Sequence, residues 1–447
     1  MKIDIITVEI GSTITKVNAF NNIFTDNPIH IAQATDLTTV EQGDVTLGAY
    51  KALENLNKIA GEKLEPKEIL INSSAAGGLS MGVFGLTYDM TAKAASEASL
   101  GAGAIIKYIG CGKIQPYQID ELLETKPNII LFAGGLDFGD TETTYHNALM
   151  LCQIPCDIPF IYAGNTQLIK AITKLFEKQG KNLLVTKNVY PGVDELDTEP
   201  ARKIIQETFS KHIIHAQGME KLSLLTKKPI IPTPYAVLKI TEKIYETMGD
   251  VVVIDVGGAT TDIHSVCEDT PEHSAKRIEA EPLSKRTVEG DLGVFINADN
   301  LNKLEDKTIR FHGDLGFLKP MPDSESSIAL SKNLAYKAVK LGLYRHAGKL
   351  KTVFTPSGKK QFVIGKDLSN VKYIIGTGGA LTRLPGCKTL LEPKNLLLNA
   401  ESLMPGKDAE SFIDNKYIFS SLGTIAFHYP DINIKKLVLS SINSKEQ

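Results

Sequence analysis

Between Val251 and Val266 the chain reads VVVIDVGGATTDIHSV. The apolar run Val251–Ile254 has the composition of a buried strand, and Ile263–Val266 forms a second one. So few residues separate them that the two strands must run antiparallel, as a hairpin whose turn is made of glycines and hydroxyls flanked by Asp255 and Asp262. Glycine reaches positive φ without steric cost and lets backbone N–H groups approach an anion. Gly257, Gly258 and Ala259 can therefore hold phosphate through their amides, and Thr260 and Thr261 can donate hydroxyl hydrogen bonds. Asp255 and Asp262 can hold a hydrated Mg²⁺, which takes one or two carboxylates plus phosphate oxygens. Asp262 has a competing role as an Asx-turn stabiliser.

A hairpin of the same kind opens the chain. Ile3–Val8 reads as a strand, Glu9-Ile10-Gly11-Ser12-Thr13 as the turn, and Ile14–Phe20 as the return strand. Two such hairpins imply two similar half-domains facing one nucleotide. The amides of Gly11, Ser12 and Thr13 would clamp phosphate from the second side. Lys16 either neutralises phosphate charge or is a solvated strand lysine. A third cluster, Gly376-Thr377-Gly378-Gly379-Ala380, follows the strand-like Ile374-Ile375 and starts a helix. It could carry the purine or ribose. Each glycine cluster alone is a weak signal; the three in this order are specific.

The chain of 447 residues exceeds what one core holds, so two or three domains are expected. Hydrophobic residues make 43% and charged residues 23%, as in ordinary globular proteins. A formal net charge of −3 without a basic tract argues against nucleic-acid and membrane-surface partners. The absence of an 18-residue apolar run or a leader leads us to expect a cytoplasmic protein. Cys111, Cys152, Cys156, Cys267 and Cys387 are odd in number and form no disulfide or metal spacing, so reduced thiols are expected.

Along the chain, residues 1–108 read as the first half-domain, completed by about 213–248, where a helix over Thr233–Thr247 is entered through Pro232 and Pro234. Val45–Ala60 is a helix, Ile69–Ile71 a buried strand, and Met90–Ile106 a Gly/Ala-rich helical stretch. Strands and helices alternate over 109–212, which argues for an inserted α/β domain with a parallel sheet. Its strands are Asn128–Phe132, Pro159–Tyr162 and Leu183–Thr186. Gly134, Gly135, Asp137, Gly139 and Asp140 at the end of the first of these form either a second ligand site or a tight turn with an Asp N-cap. Residues 249–447 form the second half-domain. They include a polar stretch at 269–285, a charged surface excursion at Lys303–Ser327, a helix over Ser331–Lys349, and a hairpin over Val353–Val363 around Pro356-Ser357-Gly358. Ile418–His428 reads as the last helix, before a mobile tail after Ile434.

The three glycine clusters resemble those of the superfamily of acetate and sugar kinases, heat-shock ATPase chaperones and actin. Within it the chain is similar to the glutamate mutase accessory protein (MutL/GlmL) family. The segments that carry this are SSAAGGL (Ser73–Leu79), ASLGAGA (Ala98–Ala104), LFAGGLDFGD (Leu131–Asp140), IYAGN (Ile161–Asn165), PTP (Pro232–Pro234), RTVEGDLG (Arg286–Gly293), RHAG (Arg345–Gly348) and IGTGGA (Ile375–Ala380). The resemblance implies an actin-like ATPase fold: two ribonuclease H-like half-domains around a nucleotide cleft, with an inserted α/β domain. It implies ATP and Mg²⁺ as cofactors. It also implies a chaperone or reactivase with slow ATPase activity, whose partner is a cobalamin-dependent mutase, either glutamate mutase or a related aminomutase, and is compatible with an oligomer. One departure is Glu9, where the superfamily begins its first loop with Asp. Its extra methylene displaces a ligand to a metal that demands near-ideal octahedral geometry; Glu9 either reaches Mg²⁺ through water, slows hydrolysis, or is tolerated. Glu289 and Asp291 lie where this superfamily borders the purine or the catalytic water, with helix capping the competing role of Asp291. Arg286 is placed to contact phosphate or pair with Glu289, and His346 reads as a packed or exposed histidine. A small-molecule kinase and an actin-like nucleotide-gated scaffold remain the alternatives.

Overall fold

The computed structural model describes residues 1–39, 42–75, 79–155, 157–213, 218–304, 313–355, 358–396 and 401–444. Both glycine-turn hairpins form, and each seeds a sheet. In the first sheet, Lys2–Ile10 and Ile14–Asn21 pair antiparallel, and Ile29–Leu37 continues the antiparallel order outside them. On the other side, Glu65–Ser73 and Ile231–Pro232 add parallel strands. In the second sheet, Val251–Val256 and Thr261–Val266 pair antiparallel, with Ser284–Glu289 outside. Tyr373–Thr377 and Glu410–Ile413 add the parallel side. Both sheets run third–second–first–fourth–fifth in chain order. This repeated topology is the actin-like arrangement of two ribonuclease H-like halves. The central strands read as near-continuous apolar runs because helices or sheets cover both of their faces: Lys2–Ile10 is buried at every position but its first.

The halves exchange helices. Thr233–Met248 leaves the last strand of the first sheet and packs on the hairpin of the second. Phe419–His428 follows the second sheet and packs on Lys2–Ile10 and Glu65–Ser73 of the first. The two helices touch each other along a shared core that includes Ile5, Leu70, Val237, Val253, Ile375 and Leu422. Contact is closest at Gly423, where a Cβ would lie 1.7 Å from the Ala236 carbonyl oxygen; only glycine lets the backbones approach so closely.

A third, all-parallel sheet carries Ala104–Cys111, Leu79–Gly85, Ile129–Phe132, Phe160–Tyr162 and Leu183–Val185, in that spatial order. It begins before residue 109, where the sequence placed the start of the insertion. Leu79–Gly85 is broken by glycines and carries little strand signal. Ala104–Ile106, expected to be helical, is strand; the helix there is Lys93–Gly101, entered through the π-helical turn Tyr88–Ala92. One face of this sheet shares a core with the first half, and the other holds the aromatic cluster of Phe132, Phe160, Tyr162 and Phe176.

Two further expectations change. The tail after Ile434 is a helix, Lys435–Ile442, because Leu437, Val438 and Ile442 bury against the shared core while the lysines stay outside. The charged excursion before Glu325 is not all surface: Lys319 to Pro322 line the central cavity. The hairpin Lys349–Thr355/Gly358–Ile364 forms, although Pro356 and Ser357 of its turn lie outside the described residues, as do Ala76, Gly77, Gly78 and Cys156. Among the described residues, no helix is long and apolar enough to cross a membrane.

Candidate functional site

The two hairpins have one construction. Glu9 and Lys16 are directly opposite across the first, and Asp255 and Asp262 across the second, each pair flanking a turn of the same length. Each turn is closed by the same backbone bond: Gly11 N–H to Ile14 O at 3.1 Å, and Gly257 N–H to Thr260 O at 2.9 Å. Both turns open on one cavity of about 530 Å³ between the halves. The cavity is lined by Glu9, Gly11, Ser12, Thr13 and Lys16 from the first hairpin and by Asp255, Gly257, Gly258, Ala259, Thr260 and Asp262 from the second. Thr377 and Gly379 of the third glycine cluster line it as well.

Charge is unevenly distributed there. Like charges directly opposite in a hairpin destabilise it, so the Asp255–Asp262 pair is a cost the sheet bears for a reason other than stability. Burial first, then the charges of Asp262 and Glu9, push the Asp255 carboxyl up to about 7, with Lys16 opposing. Glu9 is neutralised by Lys16 at 2.8 Å and accepts a hydrogen bond from the Ser420 hydroxyl. Lys16 is 2% exposed, so the solvated-strand reading of this residue fails: its ammonium lies 3.2 Å from the centre of the Tyr417 ring and 3.3 Å from Ser420 Oγ. Asp262 is held by Arg286 through Nε at 2.9 Å and through Nη2, and accepts from Thr260 Oγ1 at 3.0 Å. Three carboxylates thus converge around one lysine and one arginine. Among the described residues no group of three His, Cys, Asp or Glu side chains is gathered closely enough to hold a metal ion directly, so a cation here would be a hydrated one.

Several expected site residues sit elsewhere. Thr261 turns its hydroxyl into the core, to Leu292 O at 2.8 Å. Glu289 is half-buried and paired with Arg345 at 2.7 Å, and Arg345 also takes Asp291 at 2.7 Å. Burial raises the Glu289 pKa against the pull of Arg345, whereas the Arg345 hydrogen bond lowers that of Asp291. Neither carboxylate faces the cavity lining. Arg286 pairs with Asp262 rather than Glu289 because Glu289 is three residues further along the strand and beside Thr261. Gly376 lies within the strand. Gly378, at φ 86°, abuts Asp255: a Cβ there would meet its Oδ1 at 2.4 Å. His346 is a packed histidine, hydrogen-bonded to Ser265 Oγ at 2.7 Å and Thr287 Oγ1 at 2.9 Å.

The turn after Phe132 is built for structure. Asp140 accepts from the Thr144 amide at 3.0 Å at the start of helix Glu142–Cys152. Asp137 accepts from the Thr166 amide at 2.9 Å and from Asn188 at 3.0 Å. Both carboxylates are occupied by the loops they join.

The sequence missed Tyr417, Ser420 and Asp414. Asp414 is fully buried and accepts from Thr377 Oγ1 at 3.0 Å and from the Phe419 and Ile418 amides at 2.9 and 3.1 Å. Burial still raises its pKa. It fixes the third glycine cluster to the start of helix Phe419–His428. A carboxylate three residues ahead of a tyrosine before an apolar helix was the available signal, and it reads as an ordinary cap.

The chain matches the family model described as MutL protein over residues 5–439. It is 36% identical over 452 residues to Protein MutL of Clostridium tetanomorphum, covering 95% of this chain and 96% of that one. Among solved structures it is similar to nucleotide-free acetone carboxylase, with a TM-score of 0.39 at 12% identity over 95% of this chain and 70% of that one. A diol dehydratase-reactivating factor in nucleotide-free form gives a TM-score of 0.33 at 12% identity over 96% and 100%. With nearly its whole length matched by one family and a relative 36% identical over almost all of both chains, the chain belongs to the MutL protein family, the glutamate mutase accessory family that its motifs resemble.

Proposed function

We propose that the chain is an ATP-dependent accessory protein that reactivates a cobalamin-dependent mutase, glutamate mutase or a related aminomutase, by nucleotide-driven closure that loosens the mutase and lets damaged cofactor be exchanged. The observation that carries this reading is the pair of like-built hairpins facing one cavity. Phosphoryl chemistry needs positioning and electrostatic clamping more than covalent participation. The amides of Gly11–Thr13 and Gly257–Ala259 bind phosphate oxygens from two sides, and Thr260, whose hydroxyl donates to Asp262, helps hold that carboxylate beside them. Thr377 and Gly379 take the nucleoside end. Asp255, Asp262 and Glu9 would hold Mg²⁺ mainly through water, and that ion would neutralise phosphate charge. Lys16 balances Glu9 and supplies positive charge beside the phosphates. Asp262, fixed by Arg286, orients the attacking water. Because the two turns belong to different halves, a ligand gripped by both favours the closed arrangement. The third-sheet unit, which adds surface beyond this clamp, is the proposed contact face for the mutase. Cytoplasmic location follows from the same reading.

The test is ATP hydrolysis with Mg²⁺ by the wild type and Asp255→Ala, with and without an inactivated cobalamin mutase. Slow turnover that rises with the mutase, restores its activity and vanishes in the variant supports the reading. A wild type that neither binds nor hydrolyses ATP refutes it.

A further inference from the structure

Among the described residues, Arg286 is the largest side chain that the fold buries completely, at 1% exposure. Its guanidinium serves two parts of the molecule at once. One edge, Nε and Nη2, holds the Asp262 carboxylate in the central cavity. Nη1 donates to the carbonyls of Leu100 at 3.0 Å and Ala104 at 2.8 Å. Those carbonyls mark the junction where helix Lys93–Gly101 passes into strand Ala104–Cys111 of the third sheet. The residues beside Arg286 reinforce the join. Lys285 is buried between Glu97 of that helix at 3.2 Å and Glu281 at 2.7 Å. Ser284 O accepts from Arg202 at 2.8 Å. Lys93 binds Glu279 at 2.8 Å and Glu281 at 2.7 Å. Two consecutive residues of one strand of the second sheet, Lys285 and Arg286, are therefore fastened to helix Lys93–Gly101 and its junction with the third sheet. Ser284 before them is held by helix Glu199–Ile213, and Arg286 also grips a carboxylate of the cavity.

The guanidinium is a rigid plane with its donors in fixed directions. It cannot follow Asp262 without turning Nη1 away from Leu100 and Ala104, and a buried guanidinium that loses one set of acceptors strongly resists doing so. We infer that Arg286 is a positioning residue that ties the Asp262 carboxylate to the helix–strand junction at residues 100–104, so that what Asp262 binds is transmitted to the third-sheet unit. The nucleotide part of this inference rests on the reading above; the mechanical link does not.

The experiment is hydrogen–deuterium exchange on the full-length protein: wild type, Asp262→Ala and Arg286→Lys, each free and with ATP and Mg²⁺. In the free proteins, Asp262→Ala should raise exchange over residues 100–106 at least tenfold while strand Glu65–Ser73 keeps its wild-type protection. Arg286→Lys keeps the charge but loses the fork, and should do the same; it carries the comparison if Asp262→Ala does not fold. Unchanged exchange over 100–106 in either soluble variant overturns the link. With ATP and Mg²⁺, the wild type should change its exchange over 100–106 at least threefold and Arg286→Lys should show no response, which a merely structural arginine would not produce. A wild type that binds ATP without a change there, or an Arg286→Lys that responds like it, overturns the coupling. A wild type that binds no ATP refutes the proposed function instead, and the comparison of free proteins then decides the link by itself.

Discussion

Replacing Asp255 by asparagine should make the ligand-free protein more stable, and by an amount that depends on pH. Asp255 lies opposite Asp262 and near Glu9, and burial with those two charges raises its carboxyl from the ordinary 3.8 to about 7. The folded chain therefore keeps a proton that the unfolded chain has released. The sign follows: stability is full below about pH 4, declines as pH rises toward 7, and levels off above it. A shift of about three units corresponds to about 4 kcal/mol. The carboxylate opens partly to cavity water, which reduces this to roughly 2 kcal/mol. Asparagine has the same shape and no charge to crowd. In metal-free thermal melts the two proteins should differ least near pH 4, and the variant should melt about 4 °C higher at pH 8, at roughly 2 °C per kcal/mol for a chain of this size. The same substitution should abolish Mg²⁺-dependent nucleotide binding, a trade of function against stability. A gap that stays constant from pH 4.5 to 8, or an asparagine variant that melts below the wild type at pH 8, would refute the electrostatic argument.

Other substitutions test the packing of the site. Gly378→Ala places a Cβ 2.4 Å from Asp255 Oδ1 and 2.5 Å from the Val256 carbonyl oxygen; with the unfavourable φ it should cost about 3 kcal/mol and weaken nucleotide binding, as read by denaturant melts and calorimetry. Gly423→Ala drives a methyl into the Ala236 carbonyl, and the helices must separate, so a loss of about 3 kcal/mol or more is expected in the same melts. Lys16→Met leaves Glu9 beside Asp255 with its buried partner gone, which should cost about 3 kcal/mol at pH 8, much of it recovered in the Lys16→Met/Glu9→Gln double variant. Arg345→Met strands Glu289 and Asp291. It should cost about 2 kcal/mol and leave ATP affinity within about threefold, since neither carboxylate faces the cavity; a larger loss of affinity would restore Glu289 to the nucleotide site.

What the sequence revealed, and what it hid, follows from how local each signal is. The two hairpins were legible because strand, turn and carboxylate lie within a dozen or so residues, and each turn demands residues that few other structures tolerate. The duplicated sheets followed from them. Leu79–Gly85 was hidden because it is a central parallel strand broken by glycines, whose packing partners lie far along the chain. Arg286 was read against its sequence neighbour Glu289, whereas sheet register puts Thr261 beside Glu289 and leaves Asp262 within reach of the guanidinium. Tyr417 and Ser420 reach Lys16 and Glu9 from the other end of the chain, a distance that no local pattern spans. The helix Lys435–Ile442 was masked by its lysines, although the apolar residues that bury it were present.

Beside the apolar contacts of the shared core, the helix Phe419–His428 meets the first sheet through hydroxyls. Ser421 Oγ accepts from Thr7 at 2.8 Å and from Asn18 at 2.9 Å, and Thr424 Oγ1 accepts from Asn72 at 2.7 Å. Small polar groups of this kind can exchange partners over short displacements, where interlocked branched chains would jam. Next to that face, Gly423 lets the crossing helix rest directly on its partner's backbone, and Ser420 reaches Glu9 and Lys16. On the proposed closure, this polar part of the contact would be where the halves slip, and it sits one side chain away from the charges that a nucleotide would meet. A fulcrum so close to the load gives long arms on the far side: on the proposed function, a small closure around phosphate would become a wide sweep at the outer edges of the molecule, where a bound partner would feel it.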